Sequence, residues 1–424
     1  MTISSESPEP RKRASRRTLE TILAIFVSLL VAGAAIGGFL IGRKSTHDAF
    51  IKKVSGQPGS QPNTTLLSAG TGPVSLLEIL GKRIDEDPLM AQALAKAYGV
   101  PAGDRNALVE RLGRIPWMPP YRPAPFLGHV ARPYSGDDLH INAFGFRDER
   151  TAYVDKPERT IRIFVTGGSV AHGLGTTSQD QTFSSVLERI LNEEAAKTGG
   201  SRYEVVNTGF PGWATTQEKI LVQQRLVDLQ PDIVIMFSGS NDVYWSLRGR
   251  DIRSFYTQMD QNFITLFNEA HKASGHPEWA IDFLQGKEPV ECQKLAPVTA
   301  RNVEEVAAAA ARVNARVIFA LQPNILSTTK RLSQYEHKVF QPHNEPYWDS
   351  CYEALRSELG RITAGNYRLV DLSRSFGAID ENTEMFIDSY HFVDEGHRLI
   401  AQALAEQILR DGSFPGLLRE NASP

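Results

Sequence analysis

Two spacings of apolar residues alternate along most of this chain. Short, mostly apolar runs at 161–165, 204–206, 233–237, 317–321 and 368–372 have the length of buried strands. The segments 183–191, 217–226 and 303–312 carry their apolar residues at helical spacing instead. This alternation predicts an α/β fold: a doubly wound parallel sheet with helices on both faces, that is, a three-layer α/β/α sandwich. Ahead of it, Leu76, Leu77, Leu80, Leu89, Ala93, Leu94, Leu108 and Leu112 fall at helical spacing, with Pro88 and Pro101 as punctuation. A Pro-rich stretch at 116–133 is predicted to run extended into Gly145-Phe146-Arg147.

The N-terminal pattern is of another kind. Residues 21–42 form an uncharged span of 22 residues, long enough to cross a bilayer as a transmembrane helix. Arg11, Lys12, Arg13, Arg16 and Arg17 favour a cytoplasmic N-terminus, a bias opposed by Arg43, Lys44, Lys52 and Lys53. Ala32-Gly33-Ala34 resembles a signal-peptidase site, but the apolar run continues through Ile41, so an uncleaved anchor is expected and a cleaved signal peptide is the alternative. The predicted organisation is a cytoplasmic basic tail (1–20), a transmembrane anchor (21–42), a flexible Gly/Ser/Pro-containing stalk (43–73), a helical and Pro-rich attachment (74–139), a catalytic domain (140–412) and a C-terminal tail (413–424). The catalytic domain is expected outside the cytoplasm, in the periplasm or the extracellular space.

Charge and cysteine content narrow the partners. Residues 1–44 hold seven Lys+Arg and three Asp+Glu, which leaves 39 against 46, or −7, for the remainder, and so an acidic, poor nucleic-acid binder. Cys292 and Cys351 fall on the predicted exported side, where either a disulfide or two buried thiols are permitted. No Cys/His cluster has zinc spacing, and neither metal nor cofactor is expected.

The candidate chemistry sits just beyond the predicted strands, where an open parallel sheet gathers its site. Ser169 follows the first strand in Gly167-Gly168-Ser169, and Asp388 and His391 lie three residues apart near the last long helix. A serine hydroxyl needs a histidine to take its proton and a carboxylate to orient that histidine, and these three residues can supply both. Gly212 and Gly239-Ser240-Asn241-Asp242 follow the second and third strands. They read either as tight turns or as an oxyanion hole made by the Ser169 and Gly212 N–H groups and the Asn241 amide. Asp394 and His397 repeat the Asp-x-x-His spacing, but Asp394 stands where a helix N-cap belongs, so this second pair reads as a helix start. Ala171 breaks the Gly-x-Ser-x-Gly elbow of α/β-hydrolases, and no Lys-Ser or Lys-Thr follows the glycines as a P-loop requires.

Taken in order, Gly167-Gly168-Ser169, Gly212, Gly239-Ser240-Asn241-Asp242 and Asp388-Ser389-Tyr390-His391 resemble the four blocks of the SGNH (GDSL) hydrolase family over about residues 140–412. The segment around Gly145-Phe146-Arg147 is similar to one that precedes the core in membrane-associated bacterial members. The resemblance implies a serine esterase with Ser169 as nucleophile, His391 as base and Asp388 as its orienter, acting on an acyl ester of a lipid, a polysaccharide or a small molecule. An envelope polysaccharide O-acyltransferase and a catalytically silent envelope-assembly or carbohydrate-binding protein are the alternatives. Gly168 departs from the family's usual Gly-Asp-Ser. The aromatics of the insertion expected at 243–297, among them Tyr244, Trp245, Phe255, Tyr256, Phe263, Phe267 and Trp279, are predicted to pack helices, and His337 and His343 to be ordinary loop residues.

Overall fold

The computed structural model describes residues 72–151, 153, 155–253, 268–279 and 288–410. All of these belong to one compact unit, 64–424. The expected basic tail, anchor, most of the stalk and the C-terminal tail lie outside the described residues. Among the described residues no helix is long and apolar enough to cross a membrane.

The attachment is built first. Strand β1 (Val74–Ser75) leads into α1 (Leu76–Leu80), where Ser75 and Glu78 cap each other reciprocally. Helices α2 (Arg83–Glu86), α3 (Pro88–Ala97) and α4 (Arg105–Arg114) follow. Pro88 is tolerated because it opens α3, while the Asp87 carboxylate accepts from the Met90 N–H. Strand β2 (Pro116–Met118) then pairs antiparallel with β1. The Pro-rich stretch forms the hairpin β3 (Tyr121–Ala124) and β4 (Gly128–Ala131), and β5 (Tyr134–Ser135) pairs with β6 (His140–Ile141).

The core alternates as the sequence predicts: β7 (Thr160–Gly167), α5 (Ser169–His172), α6 (Phe183–Thr198), β8 (Arg202–Asn207), α7 (Thr215–Gln224), β9 (Ile233–Ser238), α8 (Ser240–Leu247), α9 (Cys292–Ala311), β10 (Arg316–Leu321), α10 (Gln334–Val339), α11 (Glu345–Gly360), β11 (Tyr367–Asp371) and α12 (Asp394–Arg410). The five strands are all parallel in the order β11-β10-β9-β7-β8. Strands β7 and β9 are buried at every position, which is why they read as mostly apolar runs, with buried Arg162 of β7 paired to Glu204. Helix α6 packs with α12, and α9 packs with both α7 and α11, giving the helical layers of the sandwich.

Helix α9 departs from the expected boundary. It begins at Cys292 and runs through Pro297, so the insertion ends earlier than 297. Burial of Cys292, Leu295 and Ala296 holds these first turns in place despite the missing proline N–H. Cys292 is bonded to Cys351 of α11, which selects the disulfide over the two thiols. Of the insertion's aromatics, Phe255, Tyr256, Phe263 and Phe267 lie outside the described residues.

The disulfide spans a sequence separation of 59. Closing a loop of that length in the unfolded chain removes about 4 kcal/mol of entropy-derived freedom. Replacing both Cys292 and Cys351 by Ser is expected to lower unfolding free energy by about that amount in urea titrations, with a reducing agent having no further effect on the variant.

Candidate active site

The strand order reverses at β7, with β8 on one side and β9 on the other, so the connections that leave β7 and β9 diverge and open a crevice above their carboxyl ends. Gly167 pairs in register with Phe237. At φ +147 a Cβ on Gly167 would fall 2.3 Å from the Phe237 carbonyl oxygen, so a side chain there would push the two strand ends apart. Ser169 opens α5 immediately afterwards, half-buried at the crevice.

Asp388 and His391 reach the same place from a loop closed at its base by pairing of Phe386 with Phe392. The Ile387 N–H donates to the His391 carbonyl at 2.9 Å, and the Val393 N–H to Met385 at 3.0 Å. At the loop tip Asp388 Oδ1 accepts from the Tyr390 and His391 N–H groups at 2.8 and 2.9 Å, a turn that folds the carboxylate back over its own loop. The carboxylate thereby meets His391 Nδ1 at 2.8 Å, and His391 Nε2 lies 2.8 Å from Ser169 Oγ. With Nδ1–H donated to the carboxylate, Nε2 is left to accept the serine O–H. Burial raises the Asp388 pKa, but the His391 charge and the hydrogen bonds from His391 and Tyr390 outweigh it and hold the group below its ordinary value.

The other two expected positions lie alongside. Asn241 Nδ2 donates to the Trp213 carbonyl at 2.7 Å, and Trp245 Nε1 donates to the Gly212 carbonyl at 3.0 Å, so α8 fastens the turn at 212–213. Trp245 is therefore a packing residue, as expected of the insertion's aromatics. Gly168 also acquires a physical reason. A Cβ there would fall 2.1 Å from Asn241 Nδ2, so the amide rests against bare backbone just before Ser169. The departure from Gly-Asp-Ser makes room for Asn241 and gives no support to a silent scaffold.

The second Asp-x-x-His pair is placed otherwise. Asp394 is the first residue of α12 rather than its N-cap, and its two oxygens accept from Thr177 N–H (2.8 Å) and Thr177 Oγ1 (2.6 Å). His397 is fully buried, accepts from the Phe183 N–H at 3.3 Å and stacks on the Phe183 ring, so it is a core residue and not merely a helix-start side chain. Burial, reinforced by the Arg147 charge, lowers its pKa to about 3. His172 is held neutral by the same causes, also at about 3, and its Nδ1 pairs with the Gly209 carbonyl at 3.0 Å.

Several residues around the site acquire their role only from partners distant in the sequence. Buried Arg147 donates to the His172 and Gly173 carbonyls, both at 3.0 Å, and so ties down the turn that ends α5. Its neighbour Phe146 is fully buried and stacks on Phe144, which makes that segment a packed edge of the core. Glu218 accepts from Thr166 Oγ1 at 2.6 Å and Ser238 Oγ at 2.5 Å, bridging the ends of β7 and β9 beneath the crevice. Burial and, more weakly, the neighbouring Asp242 carboxyl raise Glu218 to about 8 against the hydroxyl bonds that lower it. Buried Lys330 pairs with Glu336 Oε2 at 2.6 Å, and Glu336 Oε1 accepts from the Met385 and Phe386 N–H groups at the base of the Asp388–His391 loop. Among the described residues no group of His, Cys, Asp and Glu is placed to hold a metal ion.

Residues 165–399 match the family model described as the GDSL-like lipase/acylhydrolase family. The chain belongs to that family. It is therefore a hydrolase acting on ester bonds, built on a five-stranded parallel sheet. No curated protein is similar enough to count as a match. Among solved structures, an acetyl xylan esterase shares 17% identity over 58% of this chain and 100% of its own, with a TM-score of 0.35. A catalytic mutant of an acetylxylan esterase from Geobacillus stearothermophilus shares 14% over 58% and 94%, also with a TM-score of 0.35. A GDSL-like lipase from Bacteroides thetaiotaomicron shares 12% over 59% and 88%, with a TM-score of 0.32. The family assignment rests on the sequence match alone.

Glu218 generates a stability prediction. Its folded-state pKa lies above the ordinary 4.5, so the folded chain keeps a proton that the unfolded chain loses. The stability tied to the neutral acid is complete below about pH 4.5 and declines as pH rises towards about 8. Glu218→Gln, a neutral isostere, is expected to flatten that decline, so that the variant gains on the wild type between pH 5 and 8 in urea titrations. A difference constant with pH would mean that Glu218 titrates alike in both states.

Proposed function

We propose that this protein is a membrane-anchored serine esterase that works outside the cytoplasm on an acyl ester of an envelope lipid, a polysaccharide or an exported small molecule. The observation that carries the reaction is the continuous hydrogen-bonded relay from Ser169 Oγ through His391 to Asp388. In the proposed cycle Ser169 Oγ attacks the ester carbonyl carbon while His391 Nε2 takes the hydroxyl proton. The carbonyl oxygen becomes an oxyanion that accepts from the Ser169 and Gly212 N–H groups and the Asn241 amide. As the tetrahedral intermediate collapses, the C–O bond to the alcohol breaks and His391 returns its proton to the leaving oxygen. Water, deprotonated by His391, then attacks the acyl carbon, the bond to Ser169 Oγ breaks, and His391 returns the proton to Oγ as the acid leaves. Asp388 stays ionised throughout and stabilises the imidazolium.

Two features support the location: the uncharged span at 21–42 behind a basic N-terminal cluster, and the Cys292–Cys351 bond, which persists in oxidising compartments. A C-terminal reporter fusion active only in the cytoplasm would reject this orientation. A soluble mature chain beginning near Ala35 would replace the anchor by a cleaved signal peptide.

Fluorophosphonate labelling followed by peptide mapping tests the nucleophile without a known substrate. Ser169→Ala and His391→Ala are each expected to abolish labelling and ester hydrolysis while the chain remains folded. Label retained on the Ser169→Ala chain would place the nucleophile elsewhere. Asn241→Ala should reduce kcat by about 10²- to 10³-fold with a smaller change in KM, the usual cost of one lost donor. A supplied carbohydrate that collects acyl product faster than free acid appears would make the enzyme a transferase.

Gly168 offers an independent check on Asn241. Gly168→Ala puts a methyl group where the Asn241 amide lies, so it should lower kcat at least as far as Asn241→Ala does. The double variant should be little worse than either single one, because both remove the same contact. Additive losses in the double variant would show that the two positions act separately.

A further inference from the structure

The attachment at 74–139 reaches the proposed base. Trp117, on β2, sets its indole against the His391 imidazole with ring centroids 4.7 Å apart and planes at 63°. Trp117 is only 8% exposed and lies in an apolar cluster with residues of the attachment and of the core. That packing is shared with the hydrolase core: the apolar cluster of Leu76, Leu94, Leu112 and Ile115 also contains Ile387 and Val393, which bracket the Asp388–His391 loop. Polar contacts repeat the connection. Tyr98 Oη donates to the Gly175 carbonyl at 2.9 Å, Lys338 pairs with Asp87 at 2.5 Å, and the Lys96 ammonium donates to the Asn382 carbonyl.

An imidazole bonded to Asp388 through Nδ1 still has freedom to rock about that bond. Rocking carries Nε2 away from Ser169, and a displacement of about 1 Å at a reacting group costs on the order of 10²-fold in rate. On the side where Trp117 packs, a rigid aromatic ring limits that motion. We propose that Trp117 is a positioning residue for His391, so that the attachment completes the reaction centre rather than serving as a spacer between stalk and enzyme. The proposal rests on the reading of His391 as the base.

The test compares wild type with Trp117→Phe, Trp117→Leu and Trp117→Ala in the full chain. Readouts are fluorophosphonate labelling rate, steady-state hydrolysis of p-nitrophenyl acetate and thermal unfolding. Leucine fills apolar volume without a ring, whereas phenylalanine keeps a flat aromatic face. Trp117→Leu and Trp117→Ala are expected to lose about 10- to 100-fold in kcat and in labelling rate, with KM changed less than about threefold. Trp117→Phe should stay within about fivefold of wild type. If Trp117→Ala does not fold, the Leu and Phe pair decides. A folded Trp117→Leu chain with wild-type kcat and labelling rate would overturn the role of Trp117, as would equal losses in the Leu and Phe variants. A wild-type chain that is not labelled at Ser169 would instead overturn the underlying reading of the base, and the proposal with it.

Discussion

The parallel register of β7 on β9 is the constraint on which the site depends. Gly167 opposite Phe237 places the last residues of both strands at the same height, so the segments carrying Ser169 and Asn241 start side by side and then part. Strand order does the rest, because a crevice forms only where neighbouring connections leave in opposite directions. Had β8 stood between them, β7 and β9 would lie about 10 Å apart instead of about 5 Å, and the serine and the amide would part with them. The third participant arrives from far along the chain, and its loop is braced by contacts that the sheet does not provide.

Those braces are buried polar groups, and their cost explains their form. A carboxylate or ammonium removed from water is destabilising unless its hydrogen-bonding capacity is met. Glu218 answers this by favouring its neutral form between two hydroxyls on β7 and β9. Lys330 and Glu336 answer it as an ion pair whose carboxylate also receives two backbone N–H groups at the base of the Asp388–His391 loop. An apolar pair of similar volume could fill the space, but it would leave the Met385 and Phe386 N–H groups without those acceptors. Arg147 does the same for carbonyls at the end of α5. The nucleophile turn and the base loop are therefore each held by side chains that play no part in the proposed chemistry.

What was legible in the sequence follows from how local each signal is. The central strands announce themselves because burial on both faces leaves mostly apolar runs, and Ser169 and Asn241 sit at short offsets from the strand ends. Asp388 and His391 could be paired from spacing because a single turn closes between them. Trp117, Glu218, Arg147 and Lys330 could not, since each acquires its meaning from a partner 6 to 274 positions away, and nothing in the flanking residues encodes that partner. The same limit separated the attachment from the core: helical spacing revealed its helices, while the apolar cluster it shares with Ile387 and Val393 exists only in three dimensions. The burial of His397 is hidden from the sequence for a related reason. Its position at the start of α12 is visible in the sequence, but its burial against Phe183 is not.

The substitution that most distinguishes this chain from the family's usual motif can be understood through the same geometry. A side chain at position 168 and the Asn241 amide in its present position exclude each other, because the first Cβ would overlap Nδ2. Any family member with Asp there must therefore hold its asparagine differently, or its backbone further away. In this chain the amide settles against Gly168 and spends one N–H on the Trp213 carbonyl. A primary amide has two N–H groups, so the bond to Trp213 leaves the second one uncommitted. In the proposed cycle that N–H would serve the oxyanion, so Gly168 is compatible with the proposed reaction on steric grounds.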